Sequence, residues 1–541
     1  MTSSMTPGRP RRAKGHISVR VAHTVLGGAA GLVWLVLPMM TTGTEAAVPA
    51  VGSGSVAVAQ EPRENETSTA DLVLPLIAVG AASALAAYAY VRRTRRRRTP
   101  ATPGRGPAGP TAAPPGSDAE ERCTRSLVTA DDCVRTSREE LGFARGRLEG
   151  AREAEGARPG AASADGEGVE PFARAVREAE AELAAAFRMR QRYDDGVPGE
   201  PAARRQALSG IVGRCVEAGR RLDARADAFD ALRDLEGEGL GPALEFAETR
   251  FRELAGRTGA AESTLVDLAV RFPPSAHAPV TGYAEQAKDR LVFATTRLNQ
   301  ARQSADLGAP GRAAAHLRAA ETAIAQAGVF LDAVHRLAER LAEAQALLPD
   351  GLAGAEAAGA DGGAAVAGGL PAGELRASVT RLDRVLKGVR DQQAAGPYDP
   401  VDALRRIVRA AEPLAAGRDG ALDRAALLLA RGAVADAEAF VATHRGAVGA
   451  EARTRLAEAR RLLGAQPPGW VSADELARRA RDLAEQDVLL HGNPAGESDV
   501  PGSGSAGALL GGILLPDPPD TPAAFGGPDS RGRRAPGIPP G

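Results

Sequence analysis

An uncharged run followed directly by six arginines constrains this 541-residue chain more than any other feature. Leu72 to Val91 carries no Asp, Glu, Lys or Arg, and about 20 apolar or small residues in a helix match the thickness of a hydrocarbon core. Tyr88 and Tyr90 stand at its end, where aromatic rings rest among head groups. Arg92, Arg93, Arg95, Arg96, Arg97 and Arg98 follow as a stop-transfer signal, and positive charge of this kind stays on the cytoplasmic side. The expectation is a chain held in the cell membrane, with everything after Thr99 in the cytoplasm. A buried core helix would need partners for all six arginines.

The N-terminal side fits that topology. Basic residues at Arg9, Arg11, Arg12, Lys14 and Arg20 precede the apolar stretch Val21 to Met40. Residues 1–47 therefore read as a signal peptide or, if uncleaved, as a first transmembrane segment, giving a single-pass or a two-pass protein. Residues 48–70 are a short polar stub outside the cytoplasm, too small to bury a core. The span itself is 71–91, and 92–118 combines the arginine cluster with a Pro/Gly linker.

Beyond the linker the pattern is helical. Aromatics make up only 3% of residues while hydrophobics total 44%, so Ala, Leu and Val carry the apolar content. That mixture suits long amphipathic helices in close contact and argues against aromatic-rich ligand pockets. The spacing predicts helices over 119–350 and 372–491, separated by a Gly/Ala linker at 351–371 and followed by a disordered Gly/Pro-rich tail at 492–541. Leu127, Val134, Leu141 and Leu148 mark the first helix, and Gly150 to Pro171 reads as irregular. Pro201 to Leu235 is one helix, whereas Pro242–Ala255 and Ala260–Phe272 read as two.

Periodicity is clearest in the middle. Leu291 and Leu298 belong to one heptad seam, and Leu317, Ile324, Leu331, Val334 and Leu341 belong to another. Gly308 to Gly311 joins them, so the pair reads as an antiparallel hairpin, with Arg297 and Arg336 on its flanks. A second hairpin is expected over Ala421 to Leu463 with Arg431-Gly432 as its turn, a weak echo of the first. The last helix is expected to start at Ser472, capped with Glu475 in a capping box.

No catalytic constellation emerges. The seven histidines are scattered without a metal-binding spacing, and no phosphate-cradling glycine loop carries a lysine. Cys123, Cys133 and Cys215 match neither a redox pair nor a zinc cluster and read as partly buried thiols. Asp131-Asp132 and Asp194-Asp195 read as solvated helix-end charges. The paired arginines Arg204-Arg205, Arg405-Arg406 and Arg478-Arg479 read as partners of nearby carboxylates at i,i+4. Net charge is −1, which gives no bulk attraction to nucleic acid. No catalytic, cofactor or metal residues are therefore assigned, and no small-molecule substrate is evident.

The segments VTADDCVRTSREELGFAR, EAEAELAAAFRMRQRYDDGVP, GRCVEAGRRLDARADAFDALRDLE and APVTGYAEQAKDRLVFATTRLNQAR resemble the cytoplasmic helical part of actinobacterial TPM-domain membrane proteins. The tail segments GALLGGILL and FGGPDSRGRR look like theirs too. The TPM domain is the one associated with thylakoid-type acid phosphatases. It would stand between the signal and Leu72, where only the polar stub occurs, so the resemblance implies topology and a helical module but no phosphatase residues. The resulting expectation is all-α: a transmembrane helix followed by cytoplasmic antiparallel hairpins or a bundle. The heptad seams, together with the absence of catalytic spacing, lead to the expectation of a non-enzymatic, membrane-anchored scaffold that binds a protein partner or itself through its helices, without cofactor. The alternatives are an accessory or degenerate partner of a TPM-type phosphatase and a surface sensor of anionic lipid.

Overall fold

Apolar residues at steps of three and four put one stripe on each helix, and the chain buries these stripes against one another. The computed structural model describes residues 117–154, 164–361, 371–414, 420–491 and 524–534. The expected signal, stub, membrane span, arginine cluster and linker lie outside them. Among the described residues every regular element is a helix, and none is long and apolar enough to cross a membrane.

Three long helices come first: α1 (Ser117–Ala154), α2 (Ala164–Asp194) and α3 (Pro201–Arg233). Their shared core contains Leu127, Val134, Leu141, Phe172, Leu183, Ile211, Leu222 and Phe229. A second group follows: α4 (Leu240–Arg271), the short α5 (Pro274–His277) with a 3-10 turn (Ala278–Val280), α6 (Tyr283–Asp306), α7 (Pro310–Ala360), α8 (Ala372–Ala395) and α9 (Pro400–Ala411). The third group is α10 (Ala421–Thr443), α11 (Ala450–Leu463) and α12 (Trp470–His491), and α13 (Pro528–Arg534) is a short final helix. Proline at the first turn of α3, α7 and α9 starts a helix where its missing N–H has no partner to lose. Asp399 caps α9 by accepting from the N–H groups of Val401 at 2.9 Å and Asp402 at 3.0 Å.

The central hairpin forms as its spacing predicts. Leu291, Leu298, Leu317, Ile324, Leu331, Val334 and Leu341 are all buried in the one core that α6 and α7 share. Gly308 turns the chain at φ 68°, a left-handed conformation that favours glycine, and the Ala309 N–H donates to the Ser304 carbonyl at 2.9 Å. Arg297, expected on the flank, is buried instead. It donates to Gln300 Oε1 at 3.0 Å and lies 3.4 Å from His316 Nδ1. Arg336 is exposed.

Elsewhere tertiary contacts override local composition. The expected irregular stretch after Gly150 is helical to Ala154 and again from Ala164. The two helices expected around Gly256 and Gly259 are one, because Leu254, Ala261 and Leu268 share a buried stripe along α4. The Gly/Ala linker expected from 351 is helical as far as Ala360. Gly351, Gly354 and Gly359 let Leu404, Leu422 and Leu382 approach that face closely. Arg431-Gly432 is no turn. It lies within α10, and Gly432 faces Arg340 so closely that a Cβ would collide with the guanidinium. The echo between the two hairpins thus has no structural counterpart. The last helix starts at Trp470, so Ser472 sits inside it and not at its cap. The tail also departs from expectation: Ala524–Arg534 packs on the first helical group, with Phe525 fully buried.

Because Leu331 is fully buried at the α6–α7 seam, Leu331→Ala should destabilise the protein by about 2–5 kcal/mol through lost transfer energy and the cavity left behind. Arg336→Ala should change stability by no more than about 0.5 kcal/mol. Thermal unfolding of the two variants checks this, and equal effects would remove the seam from the core.

Candidate functional site

Alternating charge along α1 sends two kinds of side chain to one face. Asp131, Arg135 and Arg138 stand near one another on it, because i, i+4 and i+7 positions coincide on a helix. This face, with α2 and α11, encloses a cleft of about 350 Å³. Val134, Leu183, Phe187 and Leu456 supply its apolar lining, and Arg135, Arg138, Arg188, Arg453, Arg460 and Arg461 supply its cations.

Arg453 organises the floor and is 1% exposed. Its Nη1 donates to Asp131 Oδ2 and to Asp132 Oδ1, both at 2.7 Å. Its Nη2 donates to the Arg445 carbonyl at 2.6 Å, and its Nε to the Val448 carbonyl at 3.1 Å. Arg135 Nε also donates to Asp131 Oδ2, at 2.9 Å. Asp131 and Asp132 are therefore not solvated helix-end charges. They sit in mid-helix and join α1 to α11 through Arg453, which in turn holds the carbonyls of the turn before α11. Asp194 and Asp195 do lie at a helix end, where Asp194 pairs with Arg190 at 2.9 Å and Asp195 accepts from Gln191 at 2.9 Å.

Carboxylates hold the rim arginines in place. Arg138 pairs at 2.5 Å with Glu180, which also lines the cleft, and Arg461 pairs at 2.6 Å with Glu458 and Arg460 with Glu438, both outside the lining. Arg188 is exposed and makes no ion pair among the described residues, so the one cation in excess stands on α2.

The electrostatics favour holding charge over moving protons. Burial alone would raise the Asp131 carboxyl, but Arg135 and Arg453 outweigh it and bring its pKa down to about 2. Burial raises Asp132, and the neighbouring Asp131 charge adds to this. Burial and the adjacent Arg135 bring Arg460 down to about 10, which leaves it protonated at neutral pH. An ionised carboxylate, guanidiniums and apolar walls can seat an anionic group beside an apolar one. General acid–base chemistry near pH 7 needs a group that titrates there. The three cysteines are buried, and burial pushes Cys133 up to about 11 and Cys215 up to about 12, so they are poor nucleophiles. Among the described residues no group of three or more His, Cys, Asp or Glu could hold a metal ion.

The residues singled out from sequence do not converge here. The hairpin seam lies in a separate core, and the arginines at 92–98 lie outside the described residues. The doubled arginines do more than the expected i,i+4 pairing. Arg405 reaches Asp474 at 3.0 Å, a partner 69 positions away, and Arg204 lies 3.9 Å from the centre of the Tyr193 ring. The cleft escaped sequence reading because α11 is brought to it by a contact of more than 300 positions, between Arg453 and Asp131.

UPF0603 protein MT2410 and UPF0603 protein Rv2345, from two strains of Mycobacterium tuberculosis, are each 30% identical to this chain over 435 residues. The alignment covers 75% of this chain and 62% of each relative, so the chain spans less than two thirds of their length. No family model matches the chain, and no solved structure matches it.

Two outcomes follow. Arg453→Met leaves Asp131 buried with one cation fewer, and breaking such a pair typically costs about 3–5 kcal/mol; chemical denaturation should show a loss of that order. His444 is buried against Phe440, with ring centres 4.2 Å apart, and burial lowers its pKa from 6.5 to about 4. The unfolded chain then takes up a proton below about pH 6.5 that the folded chain refuses until about pH 4. Stability supplied by this site is full above pH 6.5 and declines between those values, by on the order of 3 kcal/mol. Denaturation of the protein and of His444→Phe at several pH values should show a smaller decline in the variant.

Proposed function

We propose that this chain is a membrane-anchored, non-enzymatic scaffold whose helical region docks a protein partner. The cleft carries this reading: ion-paired arginines, the exposed Arg188 and a carboxylate held ionised at Asp131 are set against apolar walls. That chemistry suits an acidic side chain next to an apolar one on another protein, with Arg188 positioned to meet the acid. Anchoring rests on the uncharged span at 72–91 and the arginines that follow it. The hairpin seam is occupied by the chain's own core, so docking falls to helix surfaces such as the cleft and not to Leu291 or Leu331.

A reporter fused after residue 118 should be active only as a cytoplasmic enzyme, and an active exported reporter there would reverse the orientation. The detergent-solubilised full chain should release nothing from a generic phosphomonoester above a buffer blank. Turnover that copurifies with the protein and disappears in Asp131→Asn would sink the non-enzymatic reading. Proximity labelling in intact membranes should mark protein neighbours that are lost in Arg188→Glu; labelling unchanged by that variant would remove the cleft from the docking surface.

A further inference from the structure

Phe525 lies fully buried among α1, α2 and α3, although it belongs to a segment far along the chain from all three. Its ring stacks on Phe229 with centres 4.3 Å apart and meets Phe172 edge-on at 6.0 Å. The backbone beside it is read by side chains of the groove. The Gly526 N–H donates to Ser137 Oγ at 3.1 Å, and the N–H groups of Gly527 and Ser530 both donate to Asp223 Oδ1, at 2.8 and 2.9 Å. Arg531 closes the motif, donating from Nε to the Ala524 carbonyl at 3.0 Å and from Nη2 to the Cys133 carbonyl at 3.1 Å.

Both sides of this contact are specified residue by residue. Gly526 has φ 135°, and a Cβ there would collide with Ser530. A Cβ on Gly527 would collide with the Gly219 carbonyl and with Asp223, and one on Gly219 would collide with the Pro528 ring. Asp529 faces solvent. A buried aromatic anchor flanked by main-chain hydrogen bonds to the receiving surface is how folded domains recognise short peptides.

We propose that the groove of α1, α2 and α3 is a peptide-recognition site for Phe-Gly-Gly-Pro-x-Ser-Arg, occupied in cis by residues 525–531 of the same chain. Residues 492–523 connect α12 to this segment, and a covalent connection raises the local concentration of a ligand without adding a contact. The same seven residues supplied on a separate molecule would therefore bind the same groove. Leaving it would expose Phe172 and Phe229 and strip Asp223 of two donors, so an empty groove retains affinity for its occupant.

The test uses the detergent-solubilised full chain carrying a protease site inserted between residues 505 and 506. After cleavage the 506–541 fragment should stay bound, with the mass of a one-to-one monomer in native mass spectrometry. Excess synthetic peptide spanning 521–534 should displace it, whereas the same peptide with Phe525→Ala should be at least tenfold less effective. Release of the fragment on cleavage, while the rest keeps its helical circular dichroism and melting temperature, would overturn the proposal. So would equal displacement by the two peptides. Assemblies of twice the monomer mass would replace occupancy in cis with exchange between copies. Asp223→Ala in the cleaved chain should speed release at least tenfold, and unchanged retention would overturn the reading of its two hydrogen bonds. The peptide pair keeps the question decidable if that variant folds poorly.

Discussion

Arg233 ties the first helical group to the second, and the arrangement of the described helices depends on it. It is 2% exposed. Its Nη1 donates to Glu140 of α1 at 2.7 Å, and its Nη2 to Glu321 of α7 at 2.7 Å. Burial works against its charge, yet the two carboxylates outweigh that effect and keep it protonated. Arg318 of α7 joins the same junction through Asp230 at 3.1 Å. Apolar stripes slide over one another at small cost, whereas a buried ion pair left without its partner costs several kcal/mol. The junction therefore sets register between helices that alanine-rich surfaces alone would leave loosely specified. The chain then leaves α3 at once: Asp234 takes φ 44°, and the Arg233 carbonyl lies so near Gly239 that no Cβ fits there.

The same device recurs wherever helical groups meet. Arg453 joins α11 to α1, Arg405 joins α9 to Asp474 of α12, and Arg340 joins α7 to Asp436 of α10 at 2.8 Å. The chain has only three lysines, at 14, 288 and 387. A lysine carries three donors on one atom, whereas guanidinium presents five in a rigid fork. Arg453 uses that fork to reach carboxylates and carbonyls at once, a task that a lysine could not perform. The abundance of arginine thus has a structural reason at these junctions, beyond any bias in composition.

One helix serves both surfaces to which we assign binding. Asp131, Arg135 and Arg138 of α1 face the arginine-rimmed cleft, while Cys133 and Ser137, four positions apart on another stripe, face the segment around Phe525. Each stripe needs its own partner: the cleft is completed by α11, and the groove by α3. Both partners reach α1 from distant parts of the sequence, so neither surface exists before the chain has folded. Its core position explains why α1 carries so many buried polar residues for an amphipathic helix, among them Asp131, Arg135, Ser137 and Glu140.

Periodicity alone settled the helical class and the α6–α7 hairpin, because a seam of Leu, Ile, Val and Ala at steps of three and four has one favourable way to be buried. Leu291, Leu298, Leu317, Ile324, Leu331, Val334 and Leu341 are inside for that reason. The role of a glycine is less legible from its neighbours. Gly308 makes a turn as its neighbours suggest, but Gly351 and Gly432 remain helical, since what they serve is close approach by Leu404 and Arg340. Local sequence records that a position is small, and only packing decides whether the space admits a turn or another helix. The charges follow the same division. An acidic pair such as Asp131-Asp132 looks solvated until Arg453 arrives from more than 300 positions away, and Phe525 looks like part of a featureless tail until Phe229 and Asp223 receive it. Such partners are non-local, and no spacing rule along the chain encodes which distant arginine or aromatic ring will meet them.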